Sequence, residues 1–428
     1  MAATPLDVKP LPDSQQTRFL PSDAFDFNDL VKAVSRSPEV AAADREVRIR
    51  EAAVDQSRLW PNPVLDATWG TIPIGRTNPP GIRHPLTTVP NYRVGVSYTI
   101  SLGKRGPIQA ARQSELISIR AERCAVGRER ALELAASLGE MAITELRIAA
   151  LGRLLDAAHE QERQVEMRLK MQLASGLELD RVAIERGRLE QQLHRAESDL
   201  SAEQAACSAT TGQYCQRFES ARSAQNYLEK WVNLDETRLL QRAGGFERPD
   251  AKALANAAEA AKHQRTYYAR QKIPDVTLRV GFTHDQFEIS GNQPSSIDLT
   301  AQLPLPMFDW GQAGVRSATA AADGYSAERR ALLKSTQAII PALVERLRAQ
   351  RSRRKNLLEV LIPRAQAVVV DVVRAYDTRL LSMNDVIQAR RALLDLVLDE
   401  VDGLADAYAA ALGLRAQVAL TDNEGCNE

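Results

Sequence analysis

The stretch IPDVTLRVGFTHDQFEISGNQPSSIDLTAQLPLPMFDWGQ, residues Ile273–Gln312, decides the reading of the chain, because it alternates every second residue inside a sequence that otherwise carries helical spacing. Val276, Leu278, Val280 and Phe282 point one way, and Thr277, Arg279, Gly281, Thr283 and Asp285 the other. That is a strand with one apolar and one polar face. After a turn-rich loop, Ser290 to Ser296, the alternation resumes with Ile297, Leu299, Ala301 and Leu303 against Asp298, Thr300 and Gln302. The two runs read as a β-hairpin. Each is about nine or ten residues long, the length a tilted strand needs to cross the hydrocarbon of a bilayer. A soluble sheet would alternate in the same way. No neighbouring segment reads as a cover for the apolar face, since both flanks read as long helix.

Working outward, Val64 to Ile74 alternates Leu65, Ala67 and Trp69 with Asp66, Thr68 and Gly70. Beyond the Pro- and Gly-rich Arg76–Pro90 loop, Val94, Val96, Tyr98 and Ile100 oppose Arg93, Gly95, Ser97 and Thr99. This second hairpin matches the first in its setting. Pro38 and Pro249 precede Pro63 and Pro274 by the same spacing, Gly70 and Gly281 follow at the same offset, and Gly103-Lys-Arg-Gly106 corresponds to Gly311-Gln-Ala-Gly314. The expected fold class is therefore mainly α with a small β part, in two tandem repeats of helix, β-hairpin, long helix and returning helix.

The expected boundaries follow from this layout. Residues 1–25 read as a flexible leader. Residues 26–211 form the first repeat, with strands near 64–74 and 92–101 and long helices over 106–174 and 179–211. Residues 212–246 form an irregular connector carrying Tyr227 and Trp231. Residues 247–420 form the second repeat, with strands near 275–287 and 296–305 and long helices over 312–379 and 384–418, and 421–428 a polar tail. The outward helix from Gly106 spans on the order of 100 Å at about 1.5 Å per residue. Leu134, Leu138 and Met141, then Ile148, Leu151, Leu155 and Ala158, carry the spacing of a coiled-coil seam. Pro341 and Pro363 should kink the corresponding helix of the second repeat.

Composition bounds the function. The 428 residues carry 55 basic and 55 acidic side chains, so there is no charge excess to attract nucleic acid. No apolar run of about 20 residues reads as a transmembrane helix. Met1-Ala-Ala-Thr-Pro-Leu-Asp7 has neither the basic nor the apolar region of a signal peptide, so either a mature form begins behind an added Met or the chain is not exported. Among four cysteines, Cys207 and Cys215 flank a Thr-Thr-Gly break and stand as a disulfide or as two free thiols, while Cys124 sits in a helical pattern and Cys426 in the polar tail. The five histidines show no ligand spacing, although His84 and His284 both fall near the hairpin ends. No metal site and no cofactor are expected. With no nucleophile–base pair and no phosphate loop, there is no case for an enzyme.

If the hairpins lie in a membrane, every backbone donor and acceptor must be paired, and four strands cannot close on themselves. Several copies would have to pool their strands into one barrel. Asp66, Arg93, Arg279, Asp298 and Gln302 would then line its lumen.

This duplicated order of elements resembles the TolC family of outer-membrane efflux proteins, and within it the outer-membrane components of heavy-metal (CzcC-like) efflux systems. The likeness rests on the joints Gly103-Lys-Arg-Gly106 and Phe308-Asp-Trp-Gly311, on Pro363-Arg-Ala365 followed by Tyr376, and on the helix turns Ser175-Gly-Leu-Glu-Leu-Asp-Arg181 and Leu381-Ser-Met-Asn-Asp-Val386. The resemblance implies a homotrimer with a 12-stranded barrel in outer-membrane lipid and a helical tunnel in the periplasm. It also implies passive export, with a periplasmic adaptor (a membrane fusion protein) and an inner-membrane pump of the RND type as partners. It implies adaptor contacts at Ser175, Gly176, Leu177, Arg379, Leu380 and Leu381, and an acidic constriction at Asp385, with Asp180 as a second candidate. The alternative role for both acids is to complement helix dipoles. Family members often carry Gly in both turns; here Gly176 fits the first, and Arg379 and Leu380 stand in the second. The rival reading is a soluble coiled-coil scaffold or a periplasmic adaptor subunit, whose strand pairs would pack on other domains.

Overall fold

The computed structural model describes residues 18–19, 26–70, 91–233, 235–243, 248–285, 293–419 and 425–426. In chain order the elements are β1 (Arg18–Phe19), α1 (Phe27–Val34), α2 (Pro38–Arg58), β2 (Val64–Trp69), β3 (Asn91–Ile100), α3 (Arg105–Lys170), α4 (Gly176–Thr211), β4 (Tyr214–Cys215), α5 (Ala221–Val232), α6 (Glu236–Ala243), α7 (Pro249–Ala269), β5 (Val276–Asp285), β6 (Ser295–Gln302), α8 (Gln312–Asn356), α9 (Ile362–Asp377) and α10 (Met383–Gln417). The expected strand ends at 71–74 and 286–287, and His84, lie outside the described residues.

The chain divides into a sheet unit, Glu46–Arg120 with Ala253–Arg330, and a helical unit built on Ala121–Lys252 and Ala331–Glu428 with α1 and the start of α2. In the sheet unit the two hairpins join into one antiparallel sheet of order β2-β3-β5-β6. Asp66 faces Gly95, Gly95 faces Gly281, and Gly281 faces Asp298, so one row crosses all four strands. Register is set by the alternation itself, because a slip of one residue would mix Val280 and Leu299 with Asp66 and Arg279. The sheet leads into long helices through Gly103 (φ +72°) and Gly311 (φ +86°). Only a residue without Cβ holds that left-handed conformation cheaply, and at Gly311 a Cβ would also strike the Tyr268 carbonyl.

In the helical unit, buried positions recur every seven residues: Leu151, Ala158 and Val165 on α3; Val182, Leu189 and Ala196 on α4; Ile387, Leu394, Val401 and Tyr408 on α10. A repeat of seven keeps a seam facing its neighbour along a helix. Leu151, Ala158, Leu189, Ala196 and Leu394 accordingly form one cluster. The largest cluster gathers Leu134, Leu138 and Met141 with Tyr227, Trp231, Leu404 and Tyr408. Tyr408 donates to the Ala135 carbonyl at 2.6 Å, and burial pushes both tyrosine hydroxyls above their ordinary range.

Three regions differ from expectation. The described part of the connector contains regular helix: Ser220 and Ser223 form a reciprocal cap, and Ala224, Tyr227, Leu228, Trp231 and Val232 give α5 a buried stripe. Arg18 and Phe19, inside the expected leader, pair in parallel with Tyr214 and Cys215, and Phe19 is buried. The expected helix 312–379 passes through Pro341 as α8 but takes a π turn over Leu357–Leu361 before α9. Pro363 follows that turn directly; lacking an N–H, it leaves a carbonyl of the preceding turn without its helical donor, and the wider turn relieves the clash.

Both cysteine pairs are joined. Cys207–Cys215 closes a short loop beside β4, and Cys124 of α3 is bridged to Cys426. Gly425 lies against Gly127, where neither residue has room for a Cβ. Arg128, buried beside them, donates to the carbonyls of Arg415, Ala416 and Val418 and so closes the end of α10.

Candidate functional site

The sheet exposes its apolar face. Leu65, Val96, Val280 and Leu299 form one cross-strand row, and Ala67, Val94, Phe282 and Ile297 the next. Exposure reaches 56% at Val280, 77% at Leu299 and 80% at Ile297. Soluble surfaces rarely present such contiguous rows. Aromatic side chains bracket them. At one end are Trp69 and Tyr92, with Tyr92 stacked on His284 at 5.0 Å between ring centroids. Beyond the other end come Trp60, Phe308 and Trp310, all exposed. Ten residues at about 3.3 Å, tilted by about 45°, rise roughly 23 Å, close to the apolar band of a membrane barrel. Among the described residues, β2 and β6 each have a single partner in this sheet, so both edges are open.

The opposite face is a connected polar network. Arg279 donates through Nε to Asp66 at 3.0 Å and through Nη2 at 2.7 Å, and through Nη1 to Asp298 at 2.5 Å. Thr283 donates to the other Asp298 oxygen at 3.0 Å and accepts from Arg93 Nε at 3.1 Å. Thr99 and Thr277 bond each other at 2.9 Å, and Asn91 donates to Asp285 at 2.9 Å. Four of the five expected lumen residues are thus brought together. Gln302, opposite Thr277 at the end of β6, shares the face and lies outside the network. Thr283 and Gly95 were missed by the sequence reading as site residues, because hydrogen-bonding across three strands is a property of register.

The two helix turns are built alike. Gln172 (φ 60°) and Arg379 (φ 61°) are both left-handed. In each turn the next residue's N–H returns five residues back, Leu173 to the Arg168 carbonyl and Leu380 to that of Ala375, both at 2.8 Å. Each is a helix stop of the Schellman type made without glycine. The helices then restart at Ser175 and Ser382, which share reciprocal caps with Glu178 and Asp385. Gly176 is the first helical residue of α4, at the exit of the turn, and the left-handed position belongs to Gln172. The Asp385 carboxylate accepts from Ser382 N at 2.8 Å and Ser382 Oγ at 2.6 Å, and these bonds hold it below the ordinary carboxylate range. A capping role therefore accounts for its position. The Ser-x-x-Glu and Ser-x-x-Asp spacings are visible in the sequence and could have signalled both caps. Asp180 instead lines an open cleft with His159, Glu162, Arg163, Glu166, Leu179 and Ala183. Leu177, Leu380 and Leu381 are exposed. Among the described residues no group of His, Cys, Asp and Glu is arranged to hold a metal ion, and no helix is long and apolar enough to cross a membrane.

No protein-family model and no curated protein matches the sequence. The fold does have counterparts. The outer membrane protein VceC of Vibrio cholerae superposes with a TM-score of 0.69 at 19% identity, over 92% of this chain and 97% of that one. The outer-membrane channel OprN gives 0.72 at 16% identity over 97% and 94%. The open state of the Neisseria gonorrhoeae outer membrane channel MtrE gives 0.70 at 14% identity over 94% and 91%. The chain has the fold of these outer-membrane channels. Coverage of both partners is nearly complete, so the likeness takes in both the sheet and the helices.

Proposed function

We propose that the chain is the outer-membrane exit duct of a tripartite efflux system, conducting substrate passively outward. The observation that carries this reading is the four-stranded sheet with an exposed apolar face, a hydrogen-bonded polar face and two open edges. In hydrocarbon such edges must be paired. Three copies supply 12 strands, which closes a barrel within the range that membranes accommodate, and the polar face becomes its lining. The channel fold at near-complete coverage supports the same reading. So do the two disulfides, which belong to an oxidising compartment such as the periplasm. A soluble scaffold or an adaptor subunit would need other domains packed over the apolar rows, and the described residues of this chain leave those rows exposed.

On this reading the helices lie in the periplasm and the turns at Ser175–Leu177 and Arg379–Leu381 meet a periplasmic adaptor, coupled to an inner-membrane pump of the RND type. Asp385 and Asp180 contribute acidic groups to the constriction there, and the pump decides whether the cargo is metal cations or organic compounds. The duplicated order of elements accounts for the matched turns. The test is fractionation of cells making the full natural reading frame, followed by sizing of the detergent extract. Recovery in the outer membrane as a trimer is expected, with Asp385→Ala changing ion conductance. A soluble monomer would refute the reading.

A further inference from the structure

Arg279 reaches beyond its own neighbours. The strand order places β3 between β2 and β5, yet the Arg279 guanidinium spans it to chelate Asp66 on β2, and the same group holds Asp298 on β6. The reach depends on two glycines. A Cβ at Gly95 of β3 or at Gly281 of β5 would overlap the guanidinium itself, so the row Asp66, Gly95, Gly281, Asp298 is a groove cut to the width of an arginine. The planar fork suits it: Nε and Nη2 face one carboxylate while Nη1 faces the other. Both edge strands thus carry a carboxylate held by one cation from β5.

We propose that Arg279 tunes the charge selectivity of the barrel lumen, by holding Asp66 and Asp298 in a cluster that Arg93, joined through Thr283, brings to balance, and that is repeated in every copy around the barrel. This rests on the channel reading above. Among the described residues, the charged groups of the polar face are Asp66, Asp285 and Asp298 against Arg93 and Arg279. A ring of fixed charge in a confined aqueous path concentrates the opposite ion. In wild type this lumen ring is near balance and adds little discrimination between small cations and anions to that of the acidic constriction. Without Arg279, three carboxylates face Arg93 alone and the path favours cations. With Asp66 and Asp298 neutralised, two guanidiniums face Asp285 alone and the path favours anions.

The experiment is the reversal potential of the full-length trimer in planar bilayers under a potassium chloride gradient. Arg279→Gln is expected to raise the K⁺ over Cl⁻ permeability ratio several-fold, the double variant Asp66→Asn with Asp298→Asn to lower it several-fold, and Arg279→Lys to leave it near wild type. The opposite signs of the first two keep the test decisive even where Arg279→Gln yields no trimer, since the double variant alone must shift toward chloride. Ratios unchanged in the variants that conduct would overturn the proposal while leaving the channel standing. Wild-type protein that inserts no conducting trimer would overturn the channel reading and this inference with it.

Discussion

The apolar rows of the sheet and the apolar seams of the helices are made of the same residue types, and the chain treats them oppositely. Leu138, Leu404 and Met141 are fully buried among other side chains of the same chain, whereas Leu299 and Ile297 are largely exposed. Burial of a leucine is worth about 1.5–3 kcal/mol in either place. For the seams that free energy is collected when one chain folds. For the sheet it becomes available only when lipid covers the face and further copies pair the edges. The helical unit is thus self-sufficient in its core, and the sheet unit is written for an environment that a single chain in water does not supply.

The largest expected effect separates the two directly. Leu138→Ala, which opens a cavity in the main cluster, should lower stability by about 2–5 kcal/mol, read by denaturant unfolding of the detergent-solubilised protein. Leu299→Ala should leave that unfolding almost unchanged and instead reduce recovery in the membrane fraction. Equal losses in both would show that the sheet face is covered within the chain. Next in size, Ser382→Ala removes a helix cap and should cost about 1 kcal/mol; Ser175→Ala should do the same, and a hydrogen-exchange comparison should confine each loss to the first turn of α10 or α4. A gain of similar or smaller size is expected from Gln172→Gly and Arg379→Gly, since each removes a left-handed residue bearing a Cβ, at a cost of about 1 kcal/mol. If neither raises the unfolding midpoint, the turns are not under that strain.

The smallest effect is one of pH. The Asp385 carboxyl is held below its ordinary value of 3.8 by Ser382, so the folded form binds its proton less readily than the unfolded form. The cap it makes is intact above that value and is lost as pH falls from there through the lower, folded-state value. Exchange protection at the start of α10 should therefore drop in that acidic window in wild type and be flat in Asp385→Asn. A loss already complete near neutrality would contradict the cap.

Much of this arrangement can be read from residue order. The alternation of Val276 to Phe282 against Thr277 to Asp285 fixes both the strand and which face carries Arg279, and the seven-residue spacing of Leu151, Ala158 and Val165 fixes a helical seam. Both are local periodicities. The helix α5 is hard to see in the sequence because it is short and its stripe begins at a serine cap, a signal easily lost among turn-forming residues. The Cys124–Cys426 bridge has no local signal at all, since the two positions stand 302 residues apart. At Asp385 the acidic residue was visible, but its engagement by Ser382 is a matter of turn geometry.

By itself, then, the sequence determined the two hairpins, their polar and apolar faces, the long helices and the turns that reverse them, because period and capping chemistry act over a few residues. Only the tertiary structure decided that the hairpins share one sheet through the pairing of β3 with β5, that Gly95 and Gly281 open the path by which Arg279 reaches Asp66, and that the end of α10 is closed by Arg128. Each of these joins groups far apart in the chain, and such contacts follow from register and packing, which no local pattern encodes.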